Sequence, residues 1–245
     1  MSASPAFTAV PALSRMTSPQ PPGCGPSRLV AAETLARRRR LEADLLRPDL
    51  NGLDDFDCLE VLCGLDEAAA RVLLDAFGSL PEVLGAPPAS LVRVTGRRAA
   101  GRIKLAQELA RRLLARPLRD RCLLTASSQV QAYLRATLVG APREQFRVLF
   151  LDKRNRLIAD ERMSDGTVDH APVYPREVVR RALELNASAM LLCHNHPTGD
   201  PTPSAVDIDM TRQVVAAAEA LGLQVHDHLV VGGQQVASLR ALGLM

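Results

Sequence analysis

His194, Asn195 and His196 close the apolar run Ala187-Ser188-Ala189-Met190-Leu191-Leu192-Cys193, and Asp207 follows a stretch broken by Pro197, Gly199, Pro201 and Pro203. The apolar run is short enough to be one buried strand. In a strand, residues i and i+2 point the same way, so the two imidazoles leave on one face, side by side. The prolines and the glycine forbid regular structure until Ser204. From there Val206, Met210, Val214, Ala217 and Leu221 form an apolar stripe at helical spacing, and Gly222 is its C-terminal stop. Asp207 then lies in the first helical turn. Two imidazoles and one carboxylate make the ligand count of a catalytic zinc, which keeps its fourth position for water. His194, His196 and Asp207 are therefore the candidate metal ligands, and Zn2+ the candidate cofactor.

A plainer reading competes with this one. Ser204-x-x-Asp207 is also a capping box, with a serine N-cap and an acid at the third helical position, and it needs no metal. His194 and His196 could equally be polar loop residues. Yet the chain has only five histidines, and the plain reading must explain why two of them and an acid gather here. Two other metal chemistries do not fit. The residues of HNH nucleases are spread along a ββα unit, whereas these letters are adjacent. Zinc nucleoside deaminases need a C-x-x-C pair, and this sequence contains none.

The arrangement H-x-H-P-x6-S-x-x-D, as His194, His196, Pro197, Ser204 and Asp207, resembles the JAMM (MPN+) motif of zinc isopeptidases. The wording HNHPTGDPTPSAVDIDMT is similar to the bacterial RadC family within that group. The likeness runs from Cys122 to Met245 and continues more weakly into an N-terminal helix-hairpin-helix region. It implies an α+β fold: a JAB/MPN-like mixed sheet flanked by helices, with zinc at a strand end, preceded by a small all-α domain. It implies a metallopeptidase acting on a peptide or protein substrate. In JAMM proteins an acid just before the strand that precedes the motif is the general base, and Glu144 matches it. Glu161, at the end of the neighbouring strand, is the second candidate. Ser204 matches the family serine, whose hydroxyl can stabilise a tetrahedral oxyanion; as an N-cap it would also hold the helix that carries Asp207. Asp200 could support a ligand by a hydrogen bond or simply face solvent.

These residues need elements to hold them. Gln145 to Asp152 and Leu157 to Met163 read as two strands of a hairpin turned at Lys153-Arg154-Asn155-Arg156. Ser128 to Leu138 reads as a helix capped near Ser127, and Pro175 to Ala187 as the helix that delivers the chain to the motif strand. Gln224 to Gly232 is a further buried strand. Its His226-Asp227-His228 invites comparison with the first histidine pair, but no helix with a carboxylate follows, so histidines satisfied within the sheet are expected.

With 245 residues and 47% hydrophobic content, two domains are the better expectation. The divisions expected are an unstructured tail over 1–28, a helix-hairpin-helix-like domain over 29–118 and the hydrolase domain over 119–245, with the boundary near Ala115-Arg116-Pro117. Aromatic residues are only 3%, so the cores must be built from Leu, Val and Ala. Five cysteines at irregular spacings suit reduced thiols in a cytoplasm. No apolar run approaches a membrane span, and no signal peptide opens the chain; Arg15 and Arg28 without an acid give residues 1–28 only a faint likeness to a transit peptide.

The net charge is +3, but residues 93–121 carry ten basic residues against two acids. Within them Leu91 to Gly96 leads into Ala99 to Leu109, similar to the second helix of a helix-hairpin-helix, with Ile103, Leu105 and Leu109 as apolar anchors. There a G-x-G turn lets backbone N–H groups approach a DNA phosphate. Gly96 stands where the first glycine should, but Arg98 occupies the second place. Duplex DNA bound through residues 93–121 is the alternative to a hydrolytic role, with the chain an accessory protein in repair or recombination and any zinc structural or regulatory. The helix expected from Leu29 to Leu46 carries Arg37-Arg38-Arg39-Arg40, whose roles are either solvated surface or phosphate contact.

Overall fold

A computed structural model describes residues 28–46, 53–120, 122–123, 127–165 and 173–245. The tail expected over 1–28 lies, apart from Arg28, outside them.

Five helices come first: α1 (Arg28–Asp44), α2 (Asp55–Cys63), α3 (Glu67–Phe77), α4 (Leu80–Gly85) and α5 (Pro88–Asp120). Their starts follow from local chemistry. The Asp54 carboxylate accepts from the Asp57 N–H in a capping box, and Asp66 caps α3 through the Ala69 N–H. Leu59, Leu73, Val83, Leu91, Ala99, Ala100 and Ile103 close over one another as their core. Arg37 is drawn inward to Asp57 and Glu60, each at 3.0 Å, so this arginine of the tetrad fastens α1 to α2.

Within α5 the backbone breaks at Gly96, whose φ of 79° lies in the left-handed region that glycine enters without steric cost. Ile103 is fully buried, as expected of an anchor. Leu105 and Leu109 are not anchors: they are 58% and 52% exposed. Ala99, Ala100 and Ile103 already define the packed side of the helix, and at 3.6 residues per turn Leu105 and Leu109 fall on the other side. The boundary expected at Ala115–Pro117 falls inside α5, and Ala115 and Leu118 pack into the same cluster as the sheet. Two further contacts tie the helical region to the rest. Gly85 of α4 lies so close to Val139 and Gly140 that a Cβ there would sit 1.8 Å from the Val139 carbonyl oxygen. Arg111 reaches the Tyr133 hydroxyl, which donates to Asp160.

The remaining elements are α6 (Ser127–Leu138), β1 (Gln145–Leu151), β2 (Leu157–Asp165), α7 (Pro175–Glu184), β3 (Ala189–His196), α8 (Ala205–Glu219), β4 (Gln224–Gly232) and β5 (Gln235–Ser238). The strands form one mixed sheet in the order β2-β1-β3-β4-β5, with β3 and β4 parallel and the other pairs antiparallel. The β1–β2 hairpin turns where expected, and Asp152 accepts from the Arg154 and Arg156 N–H groups. β3 is central and covered on both faces, which is why its sequence is apolar without alternation. One face, with Leu149, Leu191, Cys193 and Leu229, meets α6 and the end of α5; the other, with Phe146, Val148, Phe150, Met190 and Leu192, meets α7 and α8. By alternation His194 and His196 continue the second face, so they point towards α8.

The register between β3 and β4 shifts between Met190 and Leu191, leaving His226 as the extra residue. Such a bulge inverts the alternation. Val225 and His228 therefore both face α8, while Leu229 and Val231 face α6.

Candidate metal centre

β3 runs on through His196, so both histidines are held in the sheet rather than in the loop after it. α8 begins beside them because Ser204 caps it. Asp207 in its first turn faces the imidazoles: His194 Nε2 lies 3.4 Å from Asp207 Oδ1, and His196 Nε2 lies 3.6 Å from Oδ2. The two Nε2 atoms are 2.9 Å apart. These three side chains could hold a metal ion, since one ligand atom of each lies within 4.8 Å of the others.

The capping box and the three-residue cluster coexist. The Ser204 N–H and hydroxyl both donate to Asp207 Oδ2, at 2.8 and 2.6 Å, and the Asp207 N–H donates to Ser204 Oγ. These bonds aim Oδ1 at His194. Burial alone would raise the Asp207 carboxyl, but hydrogen bonding with His194, His196 and Ser204 holds it far below the usual carboxylate range. The same carboxylate raises His196, against the opposing effect of burial. A concentrated negative charge thus faces two imidazoles, as a cation site requires.

Each histidine is held from behind. His196 Nδ1 lies 2.7 Å from the Asp200 carbonyl oxygen. A carbonyl only accepts, so Nδ1 carries a proton, and in the neutral ring Nε2 presents a lone pair. Asp200 therefore contributes through its backbone, while its carboxylate accepts from the Thr202 N–H. Gly232 lets this loop lie on the end of β4; a Cβ there would come within 2.4 Å of the Pro201 nitrogen and 2.5 Å of the Asp200 carbonyl carbon. His194 Nδ1 lies 2.8 Å from His228 Nε2, and His228 Nδ1 lies 2.6 Å from Thr211 Oγ1. His228 is satisfied within the fold as expected, but its partner is one of the candidate ligands. Burial, and the neighbouring His194, lower the His228 ring well below the usual histidine range.

Asn195, between the two histidines, reaches the chain before β1: its Nδ2 donates to the Arg143 carbonyl and its Oδ1 accepts from the Gln145 N–H. This places Glu144 at a small pocket shared with Phe146, Val173, His194, Val206, Asp207 and Met210. Glu161 lies elsewhere. Both its oxygens take hydrogen bonds from Arg181 of α7, at 2.6 and 2.7 Å, which lowers its carboxyl further. The roles of Asn195 and Thr211, and the pairing of His228 with His194, are not foreseeable from the residues alone. Thr211 left a signal: it follows Asp207 by one turn and is buried with Val214 and Ala218, so a hydroxyl occupies the packed face of α8. The expected stripe is displaced accordingly, with Val206 and Leu221 each 55% exposed.

Residues 124–244 match the family described as RadC-like JAB domain. A UPF0758 protein of Rhodobacter capsulatus is 54% identical over 178 residues, which cover 72% of this chain and 83% of that protein. The chain belongs to this RadC-like family. The matched residues 124–244 include the whole sheet, α6, α7, α8 and the His194, His196 and Asp207 cluster.

The basic segment does not converge on that cluster. Arg93, Arg97 and Arg98 are exposed around the Gly96 turn, Arg111 and Arg112 pair with Glu108, and Lys104 turns inward to the Leu84 carbonyl at 2.7 Å. Among the described residues no helix is long and apolar enough to cross a membrane.

Proposed function

We propose that this RadC-like protein is a zinc-dependent hydrolase of peptide or isopeptide bonds, with the zinc held by His194, His196 and Asp207. The observation that carries this reading is the approach of the two Nε2 atoms to 2.9 Å beside one carboxylate. With the His196 proton committed to Asp200, its Nε2 lone pair points at His194 Nε2; where that atom is bare as well, two lone pairs face each other, an arrangement that a cation relieves. The donor set fits zinc in kind and spacing. A tetrahedral ion with bonds of about 2.05 Å spaces its ligands by about 3.3 Å; here the two Nε2 atoms are 2.9 Å apart, His194 Nε2 is 3.4 Å from Asp207 Oδ1, and one donor atom from each of the three side chains lies within 4.8 Å of the others.

When bound, the ion supplies a water of lowered pKa and polarises the carbonyl under attack. Glu144, on the pocket wall beside His194 and Asp207, would take a proton from the attacking water and pass it to the leaving amine. Ser204 can turn its hydroxyl from Asp207 to a developing oxyanion, because the Ser204 N–H still holds Asp207 Oδ2. Glu161 takes no part, being committed to Arg181. The thiols Cys58, Cys63, Cys122 and Cys193, none in a disulfide, support a cytoplasmic location.

The test is hydrolysis of a peptide and isopeptide panel by the zinc-loaded wild type and by Glu144→Gln. Turnover should fall by roughly 10²–10⁴-fold, the usual worth of acid–base help, with zinc retained. Equal turnover in both proteins would remove Glu144 from the chemistry, and a normal Glu144→Gln with an inactive Glu161→Gln would move the role.

A second reading, duplex DNA binding by the helical region, is supported by Arg93, Arg97 and Arg98 at the exposed left-handed turn of Gly96. It concerns another face and can coexist with hydrolysis.

A further inference from the structure

We propose that His228 and Thr211 are positioning residues of the metal centre: they fix His194 in the tautomer whose Nε2 is bare and tie that ring to the helical turn bearing Asp207. The inference deepens the zinc reading and rests on it for its consequence, but its geometry stands without the ion.

Four groups form a continuous chain. His194 Nδ1 is 2.8 Å from His228 Nε2, His228 Nδ1 is 2.6 Å from Thr211 Oγ1, and Thr211 Oγ1 is 2.5 Å from the Asp207 carbonyl oxygen. Its direction can be read from the end that has no choice. A backbone carbonyl only accepts, so the Thr211 hydroxyl donates to Asp207. The Thr211 oxygen must then accept from His228, which places the His228 proton on Nδ1. A neutral His228 accepts at Nε2, so His194 donates from Nδ1. A neutral His194 with its proton there has its lone pair on Nε2, the atom that faces His196 and Asp207.

Burial makes this assignment firm. His228 and Thr211 have no solvent exposure, and His194 has 3%, so water does not offer the rings another partner. The edge of Phe146, with ring centroids 5.8 Å apart, fixes the plane of His228. A histidine that merely filled the core would have no reason to spend both nitrogens on the two elements, β3 and α8, that bring the candidate ligands together. The bulge at His226 is what turns His228 to this face. Ligand histidines are commonly oriented through their second nitrogen, and losing that support costs about 10–100-fold in metal affinity.

Two measurements on the full-length protein decide the matter. In the metal-free wild type, nitrogen-15 imidazole spectra should show the His194 and His228 protons on Nδ1. A His194 proton on Nε2 would overturn the proposal. Zinc affinity by chelator competition should weaken about 10–100-fold in Thr211→Val, which keeps the shape and removes the hydroxyl, and should recover in Thr211→Ser. A folded Thr211→Val that binds zinc as tightly as wild type would equally overturn it. A wild type that binds no zinc would instead sink the proposed function; the spectra of that same protein would still confirm or refute the tautomers.

Discussion

The side chain of Asn195 grips the backbone on both sides of Glu144, donating to the Arg143 carbonyl at 3.1 Å and accepting from the Gln145 N–H at 2.9 Å. The residue between the two histidines thus sets the place of the acid that immediately precedes the neighbouring strand. The two candidate histidine ligands on β3 and the proposed base just before β1 are thereby held by one register, with Phe146 opposite His194. Asn195 is only 3% exposed, so water cannot take over these bonds.

Asn195→Ala should leave zinc bound at near one equivalent while turnover falls by about 10²-fold, the usual consequence of a misplacement near 1 Å. Metal analysis alongside steady-state kinetics checks this. Loss of zinc would show that Asn195 supports the strand end as a whole.

Gly232→Ala should disturb the centre from behind. The added Cβ would meet the backbone of Gly199, Asp200 and Pro201 at 2.4–2.7 Å, and backbone cannot rotate aside as a side chain can. The loop must shift, and with it the Asp200 carbonyl that orients His196. A stability loss of about 1–3 kcal/mol is the usual result of such overpacking. Denaturant unfolding should register it, and zinc affinity should drop in the same variant.

Lys104 gives the helical region a pH signature. Burial pushes its amine down to about 8 from 10.5. Below about 8 both folded and unfolded chains hold the proton, and the cost of burying the charge is fully present. Between about 8 and 10.5 the unfolded chain holds more of the proton, so stability from this group rises with pH. Wild type should therefore gain stability relative to Lys104→Met across that window. A constant difference between the two unfolding curves would show that Lys104 is not buried in this way.

If the helical region meets duplex DNA, Arg93, Arg97 and Arg98 should carry the contact. Phosphate binding weakens with salt, with a slope of about −0.9 per contact in log–log form. Replacing Arg97 or Arg98 by Gln should flatten that slope by roughly one contact each, whereas Arg112, paired with Glu108, should matter less. Unchanged slopes would remove the Gly96 turn from DNA binding.

Much of this arrangement was legible in the residues, for identifiable reasons. β1 and β3 announce themselves through apolar runs bounded by turns, and β2 through the polar tip of the hairpin it forms with β1. The grouping of His194, His196 and Asp207 needed only strand alternation and a cap, both of which are local. What escaped is non-local. That Asn195 reaches Arg143 and Gln145 depends on the β1–β3 register. That His228 meets His194 depends on a bulge no periodicity reveals. The capping box and the metal reading looked like rivals because each claims Asp207, but a carboxylate has two oxygens: Oδ2 serves Ser204, and Oδ1 is left towards His194. The apolar residues of α5 misled for the opposite reason. Leu105 and Leu109 are good core residues by type, but the packed face of that helix was already set by Ala99, Ala100 and Ile103.

The central claim is tested most directly by the zinc content of the purified full-length protein compared with that of His196→Ala. The wild type should hold about one equivalent per chain, and the variant, with one of three ligands removed and its fold checked by circular dichroism, should hold close to none. Equal zinc in the two proteins, or none in either after zinc is supplied, would contradict a metal centre built on His194, His196 and Asp207.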